Sequence, residues 1–220
     1  MKKGFWRKID WVLLDMDGTL LDKYFDDFFW ETLVPQKYAK KYGLSFSEAK
    51  AKVMELYRRE EGTLNWTDVD FWSKRLDLDI PALKEQVSHL INVHPYVEDF
   101  LKFLRQKGKK VALVTNAHYK TLNLKLKRTK LGSYFDRVIT AFDIGLPKES
   151  KEFWYKLKEI LKFNPERTLF IDDTEEPLLA AREAGIKYLF FKSRPSNKLP
   201  PKLPLNNFAK IEYFKELMKE

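Results

Sequence analysis

The sequence predicts an α/β fold, a Rossmann-like and mostly parallel sheet with a helical insertion. Three observations carry that expectation. Short apolar runs at residues 11–14, 111–114 and 168–171 each stop at polar side chains. Such runs suit strands buried on both faces, as in a parallel sheet. Between them lie segments with apolar residues at helical spacing, which is the βαβ alternation. Residues 22–91 alone break the alternation, reading as helix throughout.

The elements follow in order. The first strand, residues 11–15, runs into Asp15-Met16-Asp17-Gly18-Thr19-Leu20-Leu21-Asp22. Residues 24–33 read as one aromatic-rich helix. Pro35 marks a break or new start, and Gly43 an end. Ser45 and Glu48 have capping-box spacing and open a helix to about Arg59, closed by Gly62. Thr67 is expected to cap a helix carrying Val69, Trp72 and Leu76. Pro81 starts another with Leu83, Val87 and Leu90. Pro95 opens a helix with Val97, Phe100, Leu101 and Leu104 on one face, stopped by Gly108. The second strand ends at Thr115 and Asn116, and a helix over about 120–129 follows. Residues 137–140 are the third strand. A loop with Gly145, Pro147 and Lys148 leads to a helix carrying Phe153, Trp154, Leu157, Ile160 and Leu161. The fourth strand ends at Asp172 and Asp173, and Thr174 caps a helix to Ala184. Residues 187–191 are the fifth strand. The proline-bearing tail, 192–205, reads as irregular. A last helix over about 207–219 is expected to bury Phe208, Ile211 and Phe214. The division so predicted is a core of 1–21 and 92–220 with a helical cap of 22–91. The cap follows the first strand's loop directly, so it can close over the strand ends as a lid.

Composition narrows the function. Hydrophobic residues make up 44% and aromatics 15%, which suits a folded chain with a sizeable core. No apolar run is long enough to span a bilayer, so no membrane partner is expected. The basic start, Met1 to Lys8, is not followed by a leader's apolar segment and cleavage site. There are no cysteines, which excludes disulfides, thiolate metal sites and cysteine nucleophiles. Cytoplasmic residence is the expectation. The net charge of +9, from 41 basic and 32 acidic residues, favours anionic partners. The lysines are scattered over the whole chain, which reads as a solvated surface and points to no specific nucleic acid. Oligomeric state leaves no sequence signal.

The chemistry lies where apolar runs stop. Asp15 and Asp17, two apart in extended chain, point the same way and would repel unless one is protonated or a cation is shared. Gly18 permits a sharp turn with backbone amides facing an anion. In a parallel sheet Asp15, Asp17, Thr115, Asn116, Lys148, Asp172 and Asp173 converge on one edge, where open α/β sheets bind ligands. Mg²⁺ takes few protein carboxylates, plus waters and a phosphate oxygen. Asp15 and Asp173 can supply carboxylates, Asp17 its backbone carbonyl, and Asp172 a grip on a metal-bound water. Lys148 adds positive charge, while Thr115, Asn116 and the amides around Gly18 and Thr19 can hydrogen-bond a phosphoryl group. Asp15 can attack phosphorus, and Asp17 can protonate the leaving alcohol. Asn65 can read a base edge with Trp66 or Phe29 stacked on it. Each residue also has an ordinary reading. Asp-x-Asp is often a turn, Thr115-Asn116 and Asp172-Asp173 can be helix caps, and Lys148 can be one surface lysine among many. The cap aromatics can be core, His118 solvent-facing or a substrate contact, and His94 structural.

These fragments, in this order, resemble the haloacid dehalogenase superfamily of phosphohydrolases. Its four motifs match Asp15-Met16-Asp17-Gly18-Thr19, Thr115, Lys148 and Asp172-Asp173 over 10–21 and 92–191. The insertion is similar to that superfamily's C1-type cap. The resemblance implies an Mg²⁺-dependent phosphomonoester hydrolase working through an aspartyl-phosphate. An acid at Asp17 implies ester hydrolysis in place of dehalogenation. Within the superfamily, Phe25-Asp26, Phe29-Trp30, Thr63-Leu64-Asn65-Trp66, Trp72-Ser73 and Thr115-Asn116-Ala117-His118 resemble bacterial purine 5′-nucleotidases acting on GMP and IMP. That implies a purine mononucleotide substrate. The rival expectations are a sugar-phosphate phosphatase or phosphomutase of the same superfamily, and a basic nucleic-acid or anion-binding module.

Overall fold

The computed structural model describes residues 4–219; Met1, Lys2 and Lys3 of the basic start, and Glu220, lie outside the described residues. Six strands form one sheet: β1 (Trp11–Leu14), β2 (Lys110–Thr115), β3 (Arg137–Thr140), β4 (Thr168–Asp172), β5 (Tyr188–Lys192) and β6 (Ala209–Ile211). Their order is β3-β2-β1-β4-β5-β6, and every pair is parallel. β1 is central because all four of its residues are buried and it can be covered on both faces. Leu14 lies opposite Leu113 of β2 and Ile171 of β4. The three strands therefore end level, and the residues just past them share one edge.

Side chains alternate between the two faces. Val12, Leu14, Leu113 and Ile171 pack with Trp6, Phe100, Leu104 and Phe214. Leu13, Ala112, Val114 and Phe170 pack with Phe153, Trp154, Leu157 and Leu178. Helix α6 (Val97–Gln106) covers the first face; α9 (Lys151–Leu161) and α10 (Glu175–Glu183) cover the second. Each large apolar side chain so buried contributes on the order of 2 kcal/mol.

Between β1 and α6 lie helices α1 (Tyr24–Phe28), α2 (Val34–Tyr42), α3 (Phe46–Arg58), α4 (Val69–Leu76) and α5 (Ile80–Gln86). They hold an apolar cluster of their own, including Phe29, Val34, Val53, Trp72, Leu76 and Ile80. Pro35 does not break the chain as expected. A π-helical turn, Phe29–Leu33, joins α1 to α2, and the Val34 amide reaches back to the Phe29 carbonyl. That wider turn leads the helix past the donor that proline lacks. Ser45 and Glu48 form the expected capping box. Asp68, not Thr67, caps α4, accepting from the amides of Asp70 and Phe71. A carboxylate one residue later reaches the free amides better than the threonine does.

Two linkers carry these helices. Leu21 pairs antiparallel with Val93, and Asp22 N donates to Asn92 O at 2.9 Å. The proline-bearing tail is irregular but docked on both. Pro195 O accepts from Lys23 N at 2.9 Å and lies 3.1 Å from His94 Nε2. The Asp22 carboxylate accepts from Tyr24 N and Asn197 N.

The expected last helix does not form. Residues 209–211 are β6 on the edge of the sheet, and a 3-10 turn, Phe214–Leu217, follows. Ile211 and Phe214 are buried as anticipated. The unpaired backbone along β5 offers hydrogen bonds that an isolated short helix cannot match.

Candidate active site

The level ends of β1, β2 and β4 put Asp15, Thr115, Asp172 and Asp173 side by side, all nearly excluded from solvent. Lys148 arrives from the loop after α8 (Ala141–Ile144). Its Nζ donates to Asp15 Oδ1 at 2.5 Å and to Asp172 Oδ2 at 2.7 Å. Trp154 Nε1 donates to Lys148 O at 2.7 Å, and Lys148 N donates to Asn116 Oδ1 at 2.9 Å. A long flexible side chain is thereby delivered to a fixed place.

Gly18 explains the turn after Asp15. Its φ is +85°, and a Cβ there would lie 2.3 Å from Asp173 Oδ2. The backbone approaches Asp173 more closely than any side chain allows. Thr115 Oγ1 accepts from Ala117 N at 3.1 Å. Asn116 is placed differently from expectation. Its Nδ2 donates to both carboxylate oxygens of Glu149, so the side-chain amide is taken up in ordering the Lys148 loop. The Thr19 hydroxyl is buried without a partner among the described residues and lies outside the cavity wall. Asn65 also lies outside that wall, its Nδ2 donating to Glu60 at 2.9 Å.

Asp15 and Asp17 take different lysines as side-chain partners. Asp17 pairs with Lys125 of α7 (Tyr119–Thr129) at 2.7 Å. Lys125 also reaches Asp26 of α1 at 2.6 Å, and Lys84 of α5 reaches Asp26 at 3.1 Å. The Lys84 ammonium lies over the rings of Phe25, Phe29 and Trp30. This buried chain of charge joins Asp17 to the helical insertion. The motif search missed it, yet a signal was present. Lys125 sits three residues past Leu122 on the buried face of α7, where a lysine is out of place unless paired.

Electrostatics follow from the burial. Desolvation pushes the Asp15 carboxyl up, to about 7, against the pull of Lys148. Desolvation raises Asp173 as well, and the nearby charges of Asp172 and Asp15 add to it. Burial works against the charge on Lys148, but Asp15 and Asp172 outweigh it and hold the ammonium charged. Asp15, Asp172 and Asp173 each offer an oxygen within 4.8 Å of the others. Asp15 Oδ2 and Asp173 Oδ2 are buried with no hydrogen-bond partner among the described residues. A carboxylate cluster with orphaned buried oxygens fits a hard divalent cation.

A cavity of about 320 Å³ lies above these groups. Its floor is Asp15, Asp17, Thr115, Lys148, Asp172 and Asp173, and its far wall is Trp30, Met54, Tyr57 and Trp66. Thr67 Oγ1 donates to Asn116 O at 2.6 Å, and Lys120 pairs with Asp70 at 2.6 Å, so insertion and sheet edge are bridged. His118 also lines the cavity, with Nε2 3.7 Å from Asp68. His94 lies at the linker, as a structural residue would.

Residues 9–185 match the family model of the haloacid dehalogenase-like hydrolases. The chain belongs to that family. A haloacid dehalogenase-like hydrolase is an enzyme, and this one is a phosphohydrolase by its relatives. It is 39% identical over 197 residues to GMP/IMP nucleotidase YrfG of Escherichia coli strain K12, covering 90% of this chain and 89% of that one. It is 26% identical over 192 residues to a phosphorylated carbohydrates phosphatase of Thermotoga maritima, covering 81% and 83%. The HAD phosphatase structure from Thermococcus onnurineus superposes with a TM-score of 0.79 at 29% identity, covering 95% of this chain and 96% of that one. The parallel sheet of this haloacid dehalogenase-like hydrolase is therefore the family's Rossmann-like fold. Among its described residues, no helix is long and apolar enough to cross a membrane.

Proposed function

We propose that this phosphohydrolase is an Mg²⁺-dependent purine 5′-nucleotidase of the cytoplasm, acting on GMP and IMP through an aspartyl-phosphate at Asp15. One observation carries the reading: a single cavity is lined both by the charged groups at the strand ends and by aromatic side chains of the insertion. Flat bases stack on such walls. The GMP/IMP nucleotidase relative supports the same substrate. Residues 22–91 serve as a lid on a core of 1–21 and 92–220.

Asp15 and Asp173, with the Asp17 carbonyl, would hold Mg²⁺, and Asp172 would steady it through Lys148 or a water. The bound cation supplies positive charge against the phosphoryl oxygens and lets the clustered carboxylates stay ionised. A carboxylate oxygen of Asp15 attacks phosphorus as the bond to O5′ breaks. Asp17 gives its proton to O5′, and the nucleoside leaves. Asp17 then takes a proton from water, which attacks the same phosphorus and releases orthophosphate and free Asp15. Lys148 and the Thr115 hydroxyl offset charge on the phosphoryl oxygens throughout.

A screen of phosphorylated metabolites, with Mg²⁺ and with chelator, tests the reading. GMP and IMP are expected to lead, and chelation is expected to stop turnover until Mg²⁺ is restored. Asp15→Asn is expected to remain folded and release no phosphate. Sugar phosphates turned over far better than purine monophosphates would overturn the nucleotide assignment. Retained turnover in Asp15→Asn would overturn the covalent route.

A further inference from the structure

We infer that Tyr57 is the cap residue that reads the leaving group, its phenolic hydroxyl hydrogen-bonding a polar atom of the departing nucleoside. This rests on the nucleotidase reading above and assigns the recognition to one side chain.

Tyr57 lies on α3 and lines the far wall of the cavity. It is only 5% exposed, and its hydroxyl is buried with no hydrogen-bond partner among the described residues. A buried tyrosine hydroxyl ordinarily finds a partner, because leaving it unpaired costs about 1–3 kcal/mol. Trp30 meets the Tyr57 ring edge-on at 5.5 Å, Trp72 at 4.8 Å and Trp66 at 6.3 Å. The neighbouring indole does not satisfy the hydroxyl, since Trp72 Nε1 donates to Trp66 O at 3.0 Å. In the ligand-free chain an unpaired polar group is thus covered by aromatic neighbours in the cavity wall.

Its place decides what it meets. The phosphoryl group belongs with the carboxylates and Lys148 on the floor, so the wall at Tyr57 faces whatever the phosphate is attached to. Burial alone pushes the phenol up, with no charged neighbour contributing. The hydroxyl therefore stays protonated at working pH and can both donate and accept. A nucleoside offers it ring nitrogens, carbonyl oxygens and ribose hydroxyls. Asn65, the residue the sequence suggested for this task, lies outside the cavity wall and is bonded to Glu60.

Tyr57→Phe removes the hydroxyl and keeps the ring. Three measurements on the full chain decide the matter: kcat/KM for GMP and IMP, kcat/KM for acetyl phosphate, and the melting temperature. Acetyl phosphate carries a leaving group too small to reach the cap. The expected result is a five- to tenfold fall for GMP and IMP, about the worth of one neutral hydrogen bond and seen mainly in KM. Acetyl phosphate is unaffected, and the melting temperature is equal or higher because an unpaired hydroxyl has gone. Unchanged kinetics with GMP and IMP would overturn the inference. So would an equal loss on acetyl phosphate, or a lowered melting temperature with loss on both, since either marks a merely structural residue. If the wild-type enzyme ignores GMP and IMP and prefers a sugar phosphate, the nucleotidase reading fails by itself. The same comparison of that sugar phosphate with acetyl phosphate then judges Tyr57: a selective loss upholds it as the leaving-group reader, and no selective loss overturns it.

Discussion

Gly18 and Asp173 touch across the site so closely that a single methyl group does not fit between them. A Cβ on Gly18 would stand 2.3 Å from Asp173 Oδ2 and 2.5 Å from its Cγ. The loop after β1 and the loop after β4 are locked in one arrangement by that approach.

Gly18→Ala is therefore expected to displace Asp173 and to strain a backbone at φ +85°. Turnover should fall at least about 100-fold, since small misplacements of reacting groups carry that cost. Stability should fall by about 1–2 kcal/mol from the positive φ alone. Phosphate release and a denaturant melt measure the two effects.

Lys125 holds Asp17 and Asp26 together while nearly excluded from solvent. Lys125→Met leaves two acids facing one another with one partner fewer. Removing one member of a buried ion pair costs about 3–5 kcal/mol, so a large drop in the urea midpoint is expected. Adding Asp17→Asn should recover part of it, because Asp17 is the acid left without its lysine, while Asp26 keeps Lys84. A double-mutant cycle measures the coupling.

His94 makes stability depend on pH. Burial, with Lys192 adding to it, depresses its pKa from 6.5 to about 4. Below pH 6.5 the unfolded chain takes up a proton that the folded chain refuses. The contribution of neutral His94 is thus complete above about pH 6.5 and is lost as the pH falls toward 4. Its size is on the order of 2–3 kcal/mol. Asp15 and Asp173, whose carboxyls are pushed up, act in the opposite direction in both wild type and variant. The difference between wild type and His94→Gln isolates the histidine: in urea titrations at pH 7.5 and 4.5, the variant should lose less stability on acidification.

Asp22 fastens the tail to the first linker through Asn197 N and starts α1 through Tyr24 N. Asp22→Ala is expected to cost about 1–2 kcal/mol, the net worth of two part-buried hydrogen bonds to a carboxylate. Limited proteolysis within residues 193–208 should quicken, as the tail's hold on the linkers weakens.

The readable parts of this protein were those governed by local rules. Ser45 and Glu48 announced their own cap. Val97, Phe100, Leu101 and Leu104 announced the buried face of α6. Local rules failed where distant chain decided. Phe208, Ile211 and Phe214 fit a helix by spacing, but β5 offered an open edge and drew residues 209–211 into the sheet. Asn65 and Asn116 look like free amides in sequence, yet Glu60 and Glu149 occupy them in the fold.

The sequence by itself determined β1 to β5, the order of the acids at their ends and the helical insertion, because apolar period and strand-end position are properties of adjacent residues. Only the tertiary structure decided that Asp17 belongs to Lys125 while Asp15 belongs to Lys148, and that the Tyr57 hydroxyl is left without a partner among the described residues. Those outcomes depend on which side chains are brought within 3 Å of one another across more than 100 residues of chain, a choice made by packing and desolvation and written in no local pattern.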